Sequence, residues 1–353
     1  MKKHNFYAGP SILPEPVYQQ ACEAIKDFDN TGVSLLSISH RSKEFGAVME
    51  KARALVKELL ELDDDFEVLF LQGGASMQFL QIPYNLMRSK AAYLDTGTWA
   101  SKAIKESRYF GDTVVVASSK DGQYRYIPKD YEVPADADYF HITTNNTIYG
   151  TQMHEIPDSP VPLVGDMSSD IFSRRLDFNR FGLIYAGAQK NMGPAGTVMV
   201  AVRKSLLGRT GRTIPTMMDY MTHIKKDSMF NTPPVFAVYV SMLTLEWVKQ
   251  NGGIDAMERR NREKSALLYD ELDRNPLFVP FVRKEDRSMM NVTFDLKDEA
   301  LRPVFDAMWQ EAGIVGLKGH RSVGGYRASL YNALPLESVQ VLVDVMQELE
   351  RKA

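Results

Sequence analysis

The sequence predicts an α/β protein built on a mostly parallel sheet and followed by a smaller α+β unit. From about residue 16 to residue 250, short apolar runs alternate with amphipathic helical stretches, a pattern typical of parallel strands joined by crossover helices. Asn251, Gly252 and Gly253 then end a helix, and a charged helical segment over 257–274 begins the second unit. A chain of 353 residues is long enough for two domains. We expect a large domain over 16–255 and a small domain made of 1–15 and 256–353.

The individual elements follow from the spacing of apolar residues. Apolar residues three or four positions apart predict helices, and short runs rich in β-branched and aromatic residues predict strands. Helices are expected at 16–27, 44–62, 99–109, 235–250, 257–274, 301–312 and 336–351. Strands are expected at 67–71, 91–94, 113–117, 139–143, 163–165, 181–185, 197–202, 290–294 and 327–330.

Composition excludes several classes of protein. Apolar residues make up 44% and charged residues 25% of the chain, which is ordinary for a soluble globular protein. A net charge of −3 gives no reason to expect binding to nucleic acid or to an anionic membrane. The single cysteine, Cys22, excludes a disulfide framework and a site with several thiolate ligands, and we expect no metal. No apolar stretch follows the first lysines, and the apolar region 236–248 is too short to span a bilayer, so a cytoplasmic location is expected.

Lys190 is the most informative residue, because it lies between the strands predicted at 181–185 and 197–202. Both strands are expected to be buried, with a tight turn of small residues between them. An unpaired buried ammonium is costly, whereas a desolvated amine that can lose its proton suits a Schiff-base enzyme. On this segment alone, a lysine whose head reaches solvent from a hairpin is an equal alternative.

Three further features follow predicted strands, where ligands of open parallel sheets collect. Gly73, Gly74 and Ser76 form a turn that begins a helix and suits a phosphate group, although an ordinary tight turn has the same composition. Trp99 suits a stacked aromatic ligand or the protein core. Asp166 suits a protonated ring nitrogen or the N-cap of the next element. Each feature alone is weak evidence. Together they supply, in chain order, a phosphate-binding turn, an aromatic ring for stacking, a carboxylate and an amine, and this set indicates a cofactor site.

Cationic residues form a second set. The dipeptide His40–Arg41 recurs as His320–Arg321, and both copies lie in polar, loop-like segments. Arginine offers a planar fork that matches phosphate or carboxylate. Arg327 begins an apolar strand, where a substrate carboxylate or an internal acidic residue would have to balance its charge.

These motifs resemble those of the phosphoserine aminotransferase family, over essentially the whole chain. The most specific segments are 5–14, 39–42, 73–78, 189–191, 230–234 and 319–327. The resemblance implies the type I fold of pyridoxal-phosphate enzymes, in the class V branch, and a homodimer with active sites shared between subunits.

The resemblance also implies a role for each site residue. Lys190 would form the Schiff base with pyridoxal phosphate, and Asp166 would pair with the ring nitrogen. Trp99 would stack on the ring, and Thr147 would contact the side of the ring that bears the hydroxyl.

The phosphate contacts would be Ala75, Ser76 and Gln189, with Asn231 and Thr232 from the other subunit. Arg327 would bind the substrate α-carboxylate, and the distal phosphate or carboxylate would be bound by His40, Arg41, His320 and Arg321. Some relatives have arginine where this chain has Ser76. Without that positive charge, binding of the substrate phosphate would depend more on the two His–Arg pairs.

The implied reaction moves the amino group of L-glutamate to 3-phosphohydroxypyruvate, giving O-phospho-L-serine and 2-oxoglutarate in serine biosynthesis. Use of a related substrate in pyridoxine biosynthesis is left open. The alternative is another class V aminotransferase, such as the alanine–glyoxylate type, which would not need two His–Arg pairs. A cysteine desulfurase fits poorly because Cys22 lies in a predicted helix, and a cofactor-sensing regulator would need an added DNA-binding unit.

Overall fold

The computed structural model describes residues 3–353. Over these residues the helices are α1 (Glu15–Lys26), α2 (Lys43–Leu59), α3 (Gly74–Leu86), α4 (Thr98–Ser107), α5 (Tyr220–Ile224), α6 (Val235–Gln250), α7 (Gly253–Arg274), α8 (Arg302–Glu311) and α9 (Leu336–Lys352). The strands are β1 (His4–Asn5), β2 (Phe66–Leu71), β3 (Lys90–Asp95), β4 (Asp112–Ser118), β5 (Phe140–Thr143), β6 (Asn145–Asn146), β7 (Thr151–Gln152), β8 (Leu163–Asp166), β9 (Phe181–Gly187), β10 (Val198–Arg203), β11 (Phe278–Pro280), β12 (Asn291–Leu296), β13 (Ile314–Val315) and β14 (Tyr326–Ser329).

The central sheet has seven strands in the order β2-β10-β9-β8-β5-β3-β4. The pairs β3–β4, β3–β5, β5–β8 and β8–β9 are parallel, whereas β10 runs antiparallel to both β9 and β2. Every residue of β9 is buried, as expected for a strand covered by helices on both faces. The predicted α/β class with a mostly parallel sheet is confirmed.

Helices cover both faces of this sheet. Helices α1, α2 and α6 pack together on one face, where Phe45, Met49 and Val56 belong to the largest apolar cluster. Ser42 caps α2, because its side chain accepts a hydrogen bond from the Phe45 amide at 3.2 Å. Helices α3 and α4 pack on the opposite face, over a second cluster that includes Tyr185. This arrangement leaves the edge at the carboxyl ends of the parallel strands open for a site.

A third apolar cluster lies in the C-terminal part of the chain. It is built around the antiparallel sheet β11-β12-β14 and the helices α7, α8 and α9. The N-terminal strand β1 pairs in parallel with β13, and Phe6 belongs to the same cluster. The expected boundary at 255/256 falls near the start of α7, and the division into two domains stays a prediction. No helix over residues 3–353 is long and apolar enough to cross a membrane.

Candidate active site

A cavity of about 350 Å³ opens at the carboxyl ends of the parallel strands. It brings together nine of the residues predicted for the site: Ala75, Ser76, Trp99, Thr147, Asp166, Gln189, Lys190, His320 and Arg327. These residues come from seven separate stretches of the chain, so the fold and not the local sequence assembles them.

The N-terminus of α3 forms one end of the cavity. Gly73 precedes the helix with φ of +86°, and a Cβ at this position would lie 2.6 Å from the Cβ of Met77, so only glycine fits. No side chain caps the helix. The first amides of a helix lack partners within it and carry partial positive charge, so Ala75 and Ser76 present an anion-binding end.

Lys190 lies in the connection between β9 and β10. The expected tight turn is wrong: ten residues, 188–197, separate the two strands. Lys190 is only 9% exposed, and its Nζ donates to Thr147 Oγ1 at 2.7 Å. Burial, together with the charge of Arg327, lowers the pKa of Lys190 to about 8, although the carboxylate of Asp166 opposes the shift.

Asp166 is the last residue of β8 and is 4% exposed. Its Oδ1 accepts a hydrogen bond from the Ser168 amide at 3.0 Å. Burial raises the pKa of Asp166 above its usual range, while the bonds from Ser168 and the charge of Lys190 act in the opposite direction. Because Lys190 is the only cationic side chain within the described residues that acts on this buried carboxylate, Asp166 can pair with a second cationic group at little electrostatic cost.

Several donors in or beside the cavity lack partners within the described residues. The buried Nε of Arg327 and the buried Nε1 of Trp99 make no hydrogen bond there. Arg327 Nη1 donates to the Thr147 carbonyl at 3.3 Å, and burial lowers the pKa of this arginine. A half-buried guanidinium without an acidic partner is costly, so the position of Arg327 suits an anionic ligand.

Five predicted residues do not line the cavity. They are His40, Arg41, Asn231, Thr232 and Arg321. Arg41 and Arg321 are exposed, and the Thr232 carbonyl accepts a hydrogen bond from Gln72 Nε2 at 2.6 Å. Asn231 lines a neighbouring cavity with Met77 and Met217. One chain by itself therefore does not bring the whole predicted set together.

Sequence reasoning missed several residues that line the cavity. These include Thr143, Asn145, Ser168 and Ser169, which follow or end the same strands as the predicted residues. Asn145 Nδ2 donates to Ser169 Oγ at 2.8 Å and so joins two of these strand ends. In the sequence, these residues are marked only by their position next to predicted strands. Many other polar residues have such a position, so it does not single them out.

The family model for aminotransferase class V matches residues 3–342. The chain belongs to the class V aminotransferase family. It is therefore a pyridoxal-phosphate-dependent aminotransferase of fold type I.

Three relatives that match over nearly their full length are described as phosphoserine aminotransferases. The phosphoserine aminotransferase of Flavobacterium johnsoniae is 63% identical over 100% of both chains. The solved phosphoserine aminotransferase of Bacillus circulans subsp. alkalophilus is 44% identical, covers 99% of both chains and has a TM-score of 0.96. The phosphoserine aminotransferase of Trichomonas vaginalis, solved with bound pyridoxal phosphate, is 36% identical over 98% of this chain and 100% of the other, with a TM-score of 0.92.

The cavity of this aminotransferase fits its cofactor. The α3 N-terminus suits the cofactor phosphate, the buried amine of Lys190 suits its aldehyde, and Asp166 suits its ring nitrogen. The unpartnered Nε1 of Trp99 and Nε of Arg327 leave donors for the phosphate or the substrate. Cofactor and substrate groups would thus provide hydrogen-bond partners for these buried donors.

The pH dependence of cofactor capture tests the environment of Lys190. Its lowered pKa means that the neutral, nucleophilic amine predominates above about pH 8. The rate at which the cofactor-free enzyme captures pyridoxal phosphate should rise between about pH 7 and 9, with a midpoint near pH 8, and then level off, as followed by stopped-flow absorbance. An exposed lysine would give a midpoint near 10.4. Binding of pyridoxine 5′-phosphate, which lacks the aldehyde, controls for effects of pH on non-covalent docking; a capture midpoint near 10 would contradict the assignment.

Proposed function

We propose that the enzyme transfers the amino group of L-glutamate to 3-phosphohydroxypyruvate, giving O-phospho-L-serine and 2-oxoglutarate. This reaction would make it an enzyme of serine biosynthesis, for which we propose a cytoplasmic location. The full-length likeness to phosphoserine aminotransferases at 63% identity is the observation that carries the proposal. The guanidinium of Arg327 and the imidazole of His320, which can donate a hydrogen bond, lie in the cavity and agree with two substrates that each carry two anionic groups.

The residues of the chain would divide the work as follows. Bound pyridoxal phosphate supplies a reactive aldehyde and a ring that accepts electrons from the substrate α-carbon. The neutral amine of Lys190 removes the α-proton of the amino-acid substrate and returns a proton later in the cycle. Thr147 holds Nζ of Lys190 by the 2.7 Å hydrogen bond. Asp166 holds negative charge beside the ring nitrogen, and Arg327 binds the substrate α-carboxylate.

Of the residues predicted to bind the distal phosphate or carboxylate of the substrate, only His320 lines the cavity of a single chain. We propose a homodimer in which Arg41, His40, Arg321, Asn231 and Thr232 complete shared active sites. Exposed apolar side chains support this arrangement, because they lie just before the segments concerned. Val33 and Leu36 are 41% and 65% exposed ahead of His40, and Phe230 is 40% exposed ahead of Asn231. Large apolar side chains that are exposed beside functional residues are typical of an interface.

Substitution of Arg41 tests the substrate assignment. The variant Arg41→Ala should raise KM for O-phospho-L-serine by about 10- to 100-fold, the expected loss for one hydrogen-bonded charge pair. Steady-state assays of both half-reactions measure this change. Arg108→Ala removes another exposed arginine that does not line the cavity and serves as the matched control. Unchanged turnover of phosphoserine by Arg41→Ala would favour the alanine–glyoxylate type of enzyme.

Hybrid dimers separate a shared site from a site within one chain. Subunits carrying Arg41→Ala are co-expressed with subunits carrying Lys190→Ala, and the mixed species is isolated by two affinity tags. If Arg41 acts in the partner's site, one site of the hybrid carries both changes and the other carries neither. The hybrid should then have about half of the activity of a wild-type dimer, because one of its two sites is intact. A hybrid no more active than the Arg41→Ala parent would contradict the shared site.

A further inference from the structure

The segment 8–11, which we call the strap, lies against Lys190. Ala8 and Gly9 of the strap line the cavity. A Cβ placed on Gly9 would lie 3.4 Å from Cγ of Lys190, so the backbone of the strap is next to the stem of the lysine side chain. The Ser11 hydroxyl donates a hydrogen bond to the Lys190 carbonyl. The strap is therefore one of the surfaces that bury this lysine.

A tyrosine near the C-terminus holds the other end of the strap. The Tyr331 hydroxyl donates to the Ala8 carbonyl at 2.9 Å, because a carbonyl can only accept. Tyr331 is 1% exposed and follows β14, the strand that carries Arg327. The Leu330 amide donates to the Met290 carbonyl at 2.7 Å, which extends the pairing of β14 with β12 up to this tyrosine. One strand thus supports both a cation of the cavity and the strap.

Asn291 links this tyrosine to another part of the cavity lining. Its Nδ2 donates to the Tyr331 oxygen at 3.3 Å, and its Oδ1 accepts a hydrogen bond from Asn145 Nδ2 at 2.8 Å. Because the tyrosine O–H is directed at Ala8, its oxygen remains able to accept, so donors and acceptors match along the path. Three consecutive hydrogen bonds therefore join Asn145 and Ala8, which line the cavity, through two buried residues that do not.

We propose that Tyr331 and Asn291 are positioning residues that hold the strap against Lys190 and so keep water away from its amine. The role of Lys190 rests on the proposed function, whereas the attachment of the strap is a property of the chain itself. Desolvation is the main cause of the lowered pKa of Lys190. A strap that opens would let water hydrate the ammonium form, and the pKa of Lys190 would rise.

Removing the Tyr331 hydroxyl alters no charge near Lys190. Burial raises the pKa of Tyr331 to about 12, so the phenol is neutral over the pH range of interest. The charged side chains that act on Lys190 all remain in the variant Tyr331→Phe; they are Asp166, Asp170 and Arg327. A change in the pKa of Lys190 in this variant would therefore report a change in hydration.

Hydrogen exchange measures the attachment of the strap directly. The Ser11 amide donates to the Gln189 carbonyl at 3.0 Å and should exchange slowly in the full-length, cofactor-free protein. Tyr331→Phe should speed exchange in peptides that cover 8–13 by about 3- to 10-fold, the effect of losing one hydrogen bond. Peptides of α6 should exchange at the wild-type rate, which shows that the variant is folded.

The pH profile of cofactor capture tests the consequence for Lys190. In Tyr331→Phe the midpoint should move up from about pH 8 by roughly half a unit to one unit, toward the value of about 10.4 for an exposed lysine. The matched control is Tyr326→Phe, because Tyr326 lies on β14, is 2% exposed and donates through its hydroxyl to Asp306 at 3.0 Å. Tyr326 does not line the active-site cavity, so this variant should leave both measurements unchanged.

Ser11→Ala releases the strap at its other end and tests the same wall if Tyr331→Phe does not fold. The variant loses the hydrogen bond to the Lys190 carbonyl, so strap exchange and the capture midpoint should change in the same directions. Unchanged exchange or an unchanged midpoint in the folded strap variants, or equal changes in Tyr326→Phe, would overturn the proposal.

Failure of the strap and failure of the proposed function give different results. If the wild-type protein captures no pyridoxal phosphate at any pH while Tyr331→Phe speeds strap exchange, the attachment is confirmed and the assigned role of Lys190 is wrong. If wild-type capture has its midpoint near pH 8 while Tyr331→Phe leaves strap exchange and the midpoint unchanged, the role of Lys190 stands and the positioning role of Tyr331 is wrong.

Discussion

Replacement of Lys190 by alanine should lower kcat for amino transfer by about four orders of magnitude or more. General acid–base catalysis alone contributes about 10²- to 10⁴-fold, and the variant also loses covalent attachment of the cofactor. No other lysine lines the cavity among the described residues, so no second amine of the cavity lining can take its place. Single-turnover kinetics and the visible absorption band of the protein–cofactor Schiff base measure the two losses separately.

The phosphate contacts should survive this change. The N-terminus of α3 and Gln189 are independent of the Lys190 side chain, so the variant should still bind pyridoxal phosphate non-covalently. Lys105→Ala removes an exposed lysine of α4 and should leave both the absorption band and kcat unchanged. Retention of more than about a hundredth of the wild-type kcat by Lys190→Ala would contradict its role as the base.

Replacement of Asp166 by asparagine should lower kcat by about 10²- to 10³-fold, the range for loss of one preorganised electrostatic contact. Asparagine preserves the shape and can keep the bond from the Ser168 amide, which is 3.0 Å long in the native chain. Only the negative charge beside the ring nitrogen is lost, so electron withdrawal by the ring weakens. Rapid-mixing absorbance after addition of L-glutamate measures the rate of the first half-reaction.

A buried carboxylate elsewhere controls for general destabilisation. The Asp138 side chain is 2% exposed and binds Arg88, but the residue does not line the active-site cavity. Asp138→Asn should reduce the free energy of unfolding and leave the rate of the half-reaction within about threefold of the wild type. An equal loss of rate in both variants would show that Asp166 acts through stability.

Sequence patterns predicted the long elements well, because burial imposes a strong period on them. Helix α6 begins and ends at Val235 and Gln250, as predicted, and the strand predicted at 163–165 extends by one residue to Asp166. Strands β1 and β13 were not predicted, since each has two residues and two residues carry no period. The segment 188–197 was read as a tight turn because its small residues resemble one.

For the site as well, local sequence patterns identified some residues, whereas others depend on contacts between distant parts of the fold or between subunits. Lys190 and Asp166 were found from the sequence because each follows a buried strand, where a charged side chain is conspicuous. Arg41 and Thr232 could be assigned only through the family resemblance, because their proposed partners belong to a second subunit.

The visible spectrum of the purified holoenzyme, recorded before and after adding O-phospho-L-serine, tests the central claim most directly. L-Alanine and L-serine serve as parallel controls in the same buffer. We predict that phosphoserine bleaches the Schiff-base band, since Lys190 is displaced and the amino group passes to the cofactor, whereas the two controls leave it unchanged. A band that responds to L-alanine and ignores phosphoserine would contradict the proposed substrate, and the absence of any band after adding pyridoxal phosphate would contradict the role of Lys190.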